Sequence, residues 1–195
     1  MAVVKACKIL ITGANRGLGL EMIKQLSANS CPKQHIFATC RDPDGPKSEA
    51  LRTLMFVLLL LDSDDPSSLN LLVNNAGIVA NGTIQTSSVE DMKNTNTNVI
   101  GPLLIIRAAK ASGIPEMSMS KVRFNMLTVL AAEEFKADEI LCMALHPGWV
   151  KTELGGDEAT LEPKESVEGM LRVIGSLTKK QHGGFMNYTG ETVTW

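Results

Sequence analysis

The chain has 195 residues, of which 19 are lysine or arginine and 21 are aspartate or glutamate, so its formal net charge at pH 7 is -2. A hydrophobic fraction of 44% and a charged fraction of 21% are typical of a globular chain. The nearly balanced charge gives no reason to expect nucleic acid or an anionic membrane surface as a partner. The longest apolar run, Leu54–Leu61, is too short to span a bilayer. We therefore expect one domain over residues 1–195, large enough to bury its own core.

The cysteines Cys7, Cys31, Cys40 and Cys142 show no C-x-x-C spacing, and no metal site is predicted. The opening sequence MAVVKACKILIT has no signal-peptide cleavage pattern. Cysteines without a secretory signal indicate reduced thiols. We therefore expect a cytoplasmic protein.

The first structural signal is Lys8–Gly19, which reads KILITGANRGLG. It is an apolar strand that turns through glycines into a helix, on which Leu18, Met22 and Leu26 fall on one face. Glycines let a backbone approach a pyrophosphate, and the N–H groups of a helix N-terminus favour the anion. The spacing T-G-x-x-x-G-x-G differs from the standard G-x-G-x-x-G, so a tight turn without a ligand is the alternative.

A second buried strand is predicted at Gln34–Cys40, followed by Arg41 and Asp42. In an α/β dinucleotide fold, the end of this strand meets the adenosine ribose, where a basic residue accommodates a 2′-phosphate. Arg41, together with Arg16 in the glycine turn, favours NADP(H) over NAD(H). The alternative is that both arginines are solvated surface charges.

The rest of the chain alternates apolar runs with helical patterns. This alternation predicts an α/β fold, a Rossmann-type doubly wound and mostly parallel sheet with helices on both faces. Pro102 implies a bend in one helix. The predicted strands are Phe56–Leu61, Leu69–Val73, Ile140–Leu145 and a last one within Gly184–Tyr188, and the predicted helices lie near Val89–Ile106, Ser120–Phe135 and Pro163–Leu177.

The order of motifs resembles the short-chain dehydrogenase/reductase family, and within it the sniffer-like and C-factor-like carbonyl reductases. The match covers nearly the whole chain, and five motifs in family order are far more specific than any one of them. The motifs are Thr12-Gly13-Ala14-Asn15-Arg16-Gly17-Leu18-Gly19, Asn74-Asn75-Ala76-Gly77, Asn98-Val99, Ser120-Lys121 and Pro147-Gly148-Trp149-Val150-Lys151-Thr152, with a similar ending at Gly183–Tyr188.

The resemblance implies an NADP(H)-dependent oxidoreductase and a place for each part of the cofactor. These positions are Thr12, Gly13, Asn15, Arg16, Gly17, Leu18 and Gly19 at the pyrophosphate, Asp62 at the adenine, Asn75, Ala76 and Gly77 at the adenosine ribose, and Pro147, Gly148, Val150 and Thr152 at the nicotinamide, beside Arg41 at the 2′-phosphate.

Two further roles implied by the resemblance are catalytic. Lys121 would bind the nicotinamide ribose and lower the pKa of a catalytic tyrosine, and Asn98 would hold a water in the proton relay. Without the motif context, Lys121 would be read as an exposed helix lysine and Asn98 as a kink residue beside Pro102.

The sequence departs from the family at the proton donor. The family has a tyrosine four residues before the lysine, where this chain has Met117. Tyr188 is the only tyrosine and lies far from this motif in sequence. The family's catalytic serine ends a strand, but only Ser112–Glu116 is available here and no strand is predicted there. Ser118, Ser120, Cys142 and His146 are poor or improbable substitutes. A positioned acid contributes ~10²–10⁴-fold to such a reaction.

A second departure concerns the sheet. The link Ser63–Ser68 has six residues, whereas a parallel crossover normally needs a dozen or more. The expected fold therefore lacks about one central strand and one crossover helix. Two internal losses of this size suggest skipped exons or a faulty gene model.

Three functional hypotheses follow. The first is an NADP(H)-dependent carbonyl reductase acting on a small carbonyl substrate, with its activity in doubt. The second is a non-catalytic nucleotide-binding or interaction variant, either a homo-oligomer or paired with a full-length relative. The third is a truncated product that does not fold stably.

Overall fold

The computed structural model describes residues 4, 6, 8–28, 34–54, 69–78, 98, 100–105, 116–119 and 125–194, with the backbone alone at 116–119 and 125. Residues 101–105 are helical, and two short 3-10 helices lie at Pro46–Ser48 and Lys179–Gln181. The strands are β1 (Lys8–Thr12), β2 (His35–Thr39), β3 (Leu71–Asn74), β4 (Glu116–Met119), β5 (Leu141–His146) and β6 (Phe185–Asn187), and the longer helices are α1 (Gly17–Ala28), α2 (Glu49–Leu54), α3 (Asn125–Phe135) and α4 (Pro163–Ser176).

The strands form one six-stranded sheet in the order β2-β1-β3-β4-β5-β6, and all five pairings are parallel. Parallel strands are buried on both faces, which explains why the strands predicted from the sequence are nearly continuous apolar runs. The Rossmann-type α/β class is therefore confirmed.

Successive residues of each strand alternate between the two faces of the sheet. Ile9 and Ile11 of β1, with Met143 of β5, belong to a large core cluster that also contains residues of α1 and α4. Leu72 of β3 and Cys142 of β5 belong to a second cluster with residues of α3. Helices thus cover both faces of the sheet, as the sequence predicts.

Successive strands are added on opposite sides of β1. After β1 it forms β2 on one side, and β3 then pairs with the other side of β1. In open α/β sheets, a crevice forms where the connections of two neighbouring strands leave towards opposite sides, and ligands bind at the carboxyl ends of those strands. In this chain that place lies between the ends of β1 and β3.

The prediction that a central strand is missing is corrected by β4. Met117 lies in register with Leu72 on one side and with Cys142 on the other. The sequence analysis places Met117 in the motif that precedes the next helix, whereas in the structure Met117 lies within β4. A sheet without β4 would leave one edge each of β3 and β5 unpaired, and buried backbone groups without partners are costly. Glu116–Met119 forms the strand that pairs with both of these edges.

The other predicted elements have mixed outcomes. The strands near 69–73, 140–145 and 184–188 and the helix at 163–177 are confirmed within a few residues. The helix predicted at 120–135 is described from Asn125 onward. The strand at 56–61, the crossover link at 63–68 and most of the helix at 89–106 lie outside the described residues. Within the described residues, no helix combines the length and the apolar character that a membrane crossing requires.

Labelling of Cys142 tests whether the sheet forms in solution. Its side chain is 0% exposed, and burial raises the pKa of the thiol to about 12. At pH 8, an ordinary thiol of pKa 9.0 therefore has roughly a thousandfold more thiolate than Cys142. We expect iodoacetamide near pH 8 to spare Cys142 in the native chain and to modify it in urea, as measured by peptide mass spectrometry. The half-buried Cys40 is the internal reference, and equal labelling of the two cysteines would indicate that the chain does not fold.

Candidate functional site

The turn after β1 adopts a conformation that only glycines accept easily. Gly13 has φ +64° and Gly17, the first residue of α1, has φ +53°. L-residues with side chains rarely adopt these angles. A Cβ on Gly13 would also lie 2.7 Å from the Cα of Ala76, so the backbone after β1 passes directly against the backbone after β3. The glycines are therefore required by the packing of this turn as well as by its shape.

The turn places the N-terminus of α1 at the carboxyl end of β1. The N–H of Leu20 donates to the carbonyl of Arg16 at 3.3 Å, which makes this the first bond of the helical ladder. The N–H groups of Gly17, Leu18 and Gly19 precede it and have no acceptor within the helix. Such groups, together with the helix dipole, bind anions. This backbone geometry fits a diphosphate.

Reciprocal hydrogen bonds join the ends of β1 and β3. The Thr12 hydroxyl accepts from the N–H of Asn75 at 3.1 Å and from the N–H of Ala76 at 3.0 Å. The Asn75 amide donates to the carbonyls of Thr12 and Gly13 at 3.0 and 3.1 Å. We call these four bonds the Thr12–Asn75 clasp. They bring together the first two motifs that the sequence assigns to the cofactor.

The segment after β5 reaches the same place. Gly148 has φ +83°, and a Cβ there would lie 2.7 Å from Leu161 and 3.0 Å from the Tyr188 ring. Thr152 lies at the start of α1, since a Cβ on Gly17 would be 3.5 Å from its Cγ2. The predicted pyrophosphate and nicotinamide motifs are therefore neighbours. Tyr188, which is far from the Met117–Lys121 run in sequence, places its ring against Gly148.

Asn98 supports the backbone that follows β3. Its amide oxygen accepts from the N–H of Ile78 at 2.9 Å, and its amide nitrogen donates to the Ile78 carbonyl at 2.7 Å. The side chain is buried, at 5% exposure. Both polar atoms of this side chain thus fix the segment that continues from Gly77. Sequence reasoning did not identify Ile78 as its partner.

Several predicted site residues are described only in part or not at all. Asp62, Ser120 and Lys121 lie outside the described residues. Arg41 is exposed at the end of β2, and Asn15 is half-buried in the glycine turn. Pro147 is fixed by its carbonyl, which accepts from the Ser166 hydroxyl at 2.6 Å, and Val150 is buried.

Neither described candidate for a substitute proton donor is well suited to that role. The Cys142 thiol is fully buried and its pKa is raised to about 12 by burial. The Nδ1 atom of His146 accepts from the N–H of Gly148 at 3.0 Å, so this ring nitrogen is engaged by the loop backbone. The described residues also contain no cluster of His, Cys, Asp or Glu that could hold a metal ion.

Sequence reasoning also missed an ion network across the site. Glu153, next to Thr152, pairs with Arg16 of the glycine turn and with Lys47, 3.0 Å away in the 3-10 helix after β2. Glu153 is 137 positions from Arg16 and 106 positions from Lys47 in sequence, and no local pattern connects it to either residue.

The fold and the clasp define a dinucleotide-binding α/β protein, and comparison with known proteins narrows the class. No protein-family model matches the chain. The structure is similar to an NADPH-bound carbonyl reductase from chicken fatty liver, with a TM-score of 0.86 and 32% identity over 97% of this chain and 99% of that chain. It is also similar to the carbonyl reductase Sniffer of D. melanogaster, with a TM-score of 0.85 and 27% identity over 97% of this chain and 100% of that chain.

A third relative, the short-chain dehydrogenase srdF of Neurospora crassa, is 24% identical over 257 residues that cover 100% of both chains. The chain belongs to the short-chain dehydrogenase/reductase family. Because the alignment is longer than the 195 residues of this chain, the relative has segments that this chain lacks. The chain is thus shorter than this relative, although β4 occupies the place of the central strand that was predicted to be missing.

Substitution of Thr12 tests the clasp. Thr12→Val keeps the shape of the side chain but removes the hydroxyl that accepts from the N–H of Ala76, while the N–H of Asn75 keeps the Val73 carbonyl as an acceptor. An unsatisfied buried group costs ~1–3 kcal/mol, so we expect the free energy of unfolding to fall by about 1–3 kcal/mol in urea titrations. Thr12→Ser keeps the hydroxyl and should lose less than half as much. Equal stability of the valine and serine variants would contradict the role given to the hydroxyl.

Proposed function

We propose that this chain is an NADP(H)-dependent oxidoreductase of the carbonyl-reductase type that retains the cofactor site and has lost its main proton donor. The observation that carries this proposal is the Thr12–Asn75 clasp, which assembles the glycine turn and the Asn75–Gly77 motif between the ends of β1 and β3. The chicken and Drosophila relatives are carbonyl reductases, and the chicken enzyme holds NADPH.

Each part of the dinucleotide has residues that fit it. The unpaired N–H groups at the start of α1 suit the diphosphate, and Arg16 and Arg41 suit a 2′-phosphate. The loop from Pro147 to Thr152 would face the nicotinamide, with Asn75 to Gly77 and Asp62 on the adenosine side. When bound, the cofactor supplies a hydride to a small carbonyl compound. Lys121 would hold the nicotinamide ribose, and Asn98 would support a relay water.

The step for which this chain lacks a suitable residue is proton delivery. Reduction of a carbonyl requires a proton on the developing alkoxide as well as a hydride. Position 117 carries methionine, burial raises the pKa of the Cys142 thiol to about 12, and Nδ1 of His146 is engaged by the N–H of Gly148. Without a placed donor, the proton comes from water, and the turnover rate falls although binding persists.

A second candidate function is binding without catalysis, in a cytoplasmic regulatory variant that pairs with itself or with a full-length relative. The observation that favours it is the position of Met117 in β4. The residue that should head a catalytic helix is instead used to complete the sheet.

An NADPH titration followed by an activity assay on the same sample tests the proposal. Trp149 is 57% exposed and its indole N–H donates to the Gly155 carbonyl at 2.8 Å, so its fluorescence should respond to cofactor in the adjacent loop. We expect saturable binding and a rate of carbonyl-dependent NADPH oxidation ~10²–10⁴-fold below that of an intact carbonyl reductase. Any residual rate should fall in Lys121→Ala. No binding, measured by calorimetry as well as by fluorescence, would refute the proposal.

Replacement of Met117 by tyrosine separates the two placements of this residue. In the sheet, residue 117 lies between Leu72 and Cys142, which are both 0% exposed. We expect Met117→Tyr to restore no activity and to lower the free energy of unfolding by ~1–3 kcal/mol through overpacking. Met126→Tyr, at a 70% exposed position of α3, is the control and should leave stability unchanged. A large gain in turnover for Met117→Tyr would show that residue 117 heads the helix instead.

A further inference from the structure

One carboxylate of the loop after β5 pairs with two cations from different parts of the chain. Oε2 of Glu153 contacts the Arg16 guanidinium, and Oε1 lies 3.0 Å from Nζ of Lys47. Arg16 belongs to the glycine turn after β1, and Lys47 belongs to the 3-10 helix after β2. The three side chains are 42–66% exposed. Arg16 and Lys47 therefore form a pair of cations that could bind an anion, and in this structure they bind the Glu153 carboxylate.

An ordered turn holds Glu153 in this position. The Thr152 carbonyl accepts from the N–H groups of Gly155 and Gly156, both at 3.0 Å, and the Thr152 hydroxyl accepts from Gly155 at 3.1 Å. In the sheet order, β5 and β2 are four strand positions apart, about 19 Å. The loop after β5 thus crosses the carboxyl edge of the sheet to reach Lys47.

The place where the cations meet is the adenosine end of the proposed cofactor site. In a doubly wound fold, the 2′-substituent of the adenosine ribose lies beyond the end of β2. Lys47 follows β2 closely, and Arg16 approaches from the glycine turn. Two basic side chains that converge on one pair of carboxylate oxygens have the charge and the donor geometry to hold a phosphate monoester.

We propose that Lys47 joins Arg16 and Arg41 in binding the 2′-phosphate of NADP(H), and that Glu153 occupies Arg16 and Lys47 until the phosphate displaces it. The inference rests on the proposed function, because it requires the dinucleotide to lie along this edge of the sheet. Glu153 then acts as an internal competitor. It lowers the affinity for NADPH and couples binding of the 2′-phosphate to release of the loop that carries Trp149.

The ionisation of Glu153 agrees with this role. The hydrogen bond from Lys47, followed by the charge of Arg16, lowers the pKa of the Glu153 carboxyl below its ordinary value. The carboxylate is therefore fully charged at neutral pH and competes as an anion. Because the folded-state pKa is lowered, the pairing persists above the ordinary pKa of glutamate and is lost only as the pH falls through the lowered value.

The test is a comparison of NADPH, NADH and adenosine 2′,5′-bisphosphate binding by calorimetry at low and high ionic strength. Glu153→Gln should tighten NADPH and the bisphosphate about three- to tenfold at low salt, leave NADH unchanged, and lose most of this gain at high salt. Lys47→Gln should weaken NADPH about tenfold and leave NADH unchanged.

Matched controls come from the neighbouring ion pair of Lys151 and Glu162, 2.6 Å apart and exposed. Glu162→Gln and Lys151→Gln remove the same charges from the same loop without touching the proposed site. Equal effects of Glu153→Gln and Glu162→Gln, or weaker NADPH binding in Glu153→Gln, would overturn the inference while leaving the proposed function standing. Failure of the parent chain to bind either dinucleotide would overturn the proposed function and this inference with it.

Discussion

The arrangement of the site depends on the reciprocal hydrogen bonds between Thr12 and Asn75. Two adjacent strands end there, and their connections leave towards opposite sides of the sheet. The crevice between them keeps its shape because one hydroxyl holds the backbone after β3 and one amide holds the backbone after β1. Each bond is worth about 0.5–1.5 kcal/mol net, but loss of a partner leaves buried groups unsatisfied at greater cost. The clasp is therefore a condition for the glycine turn to face a ligand at all.

The central strand shows how the chain compensates for what it lacks. β4 has only four residues, yet it pairs in parallel with β3 and β5 and leaves neither with an open edge. The replacement is imperfect on the side covered by α3. Asn74, in register with Met119, has an amide that is buried without a hydrogen-bond partner, and the Thr128 hydroxyl of α3 is in the same state. Native structures contain few such groups, so these two side chains are exceptions among the buried polar groups of the described residues.

The sequence was a reliable guide where structure is determined locally. The glycine turn, β1 and the Pro147–Gly148 turn depend on positive φ angles and on apolar runs, which are visible in adjacent residues. β4 was not predictable, because its alternation of Met and Ser also fits the start of a helix, and only the empty place between β3 and β5 decides the matter. The partners of Asn98 and Glu153 were equally invisible, since Ile78, Arg16 and Lys47 are brought to them by the fold.

Cofactor binding and proton delivery come from different parts of this fold. Under the proposed function, the segments after β1, β3 and β5 would hold the dinucleotide, whereas the family's proton donor would come from the motif in which this chain carries Met117. On that proposal, loss of proton delivery does not require loss of cofactor binding. A ligand that binds only the folded chain also stabilises it, by ~2.7 kcal/mol at a hundred times its dissociation constant. For a sheet whose central strand has four residues, a bound dinucleotide would therefore stabilise the fold independently of any turnover of substrate.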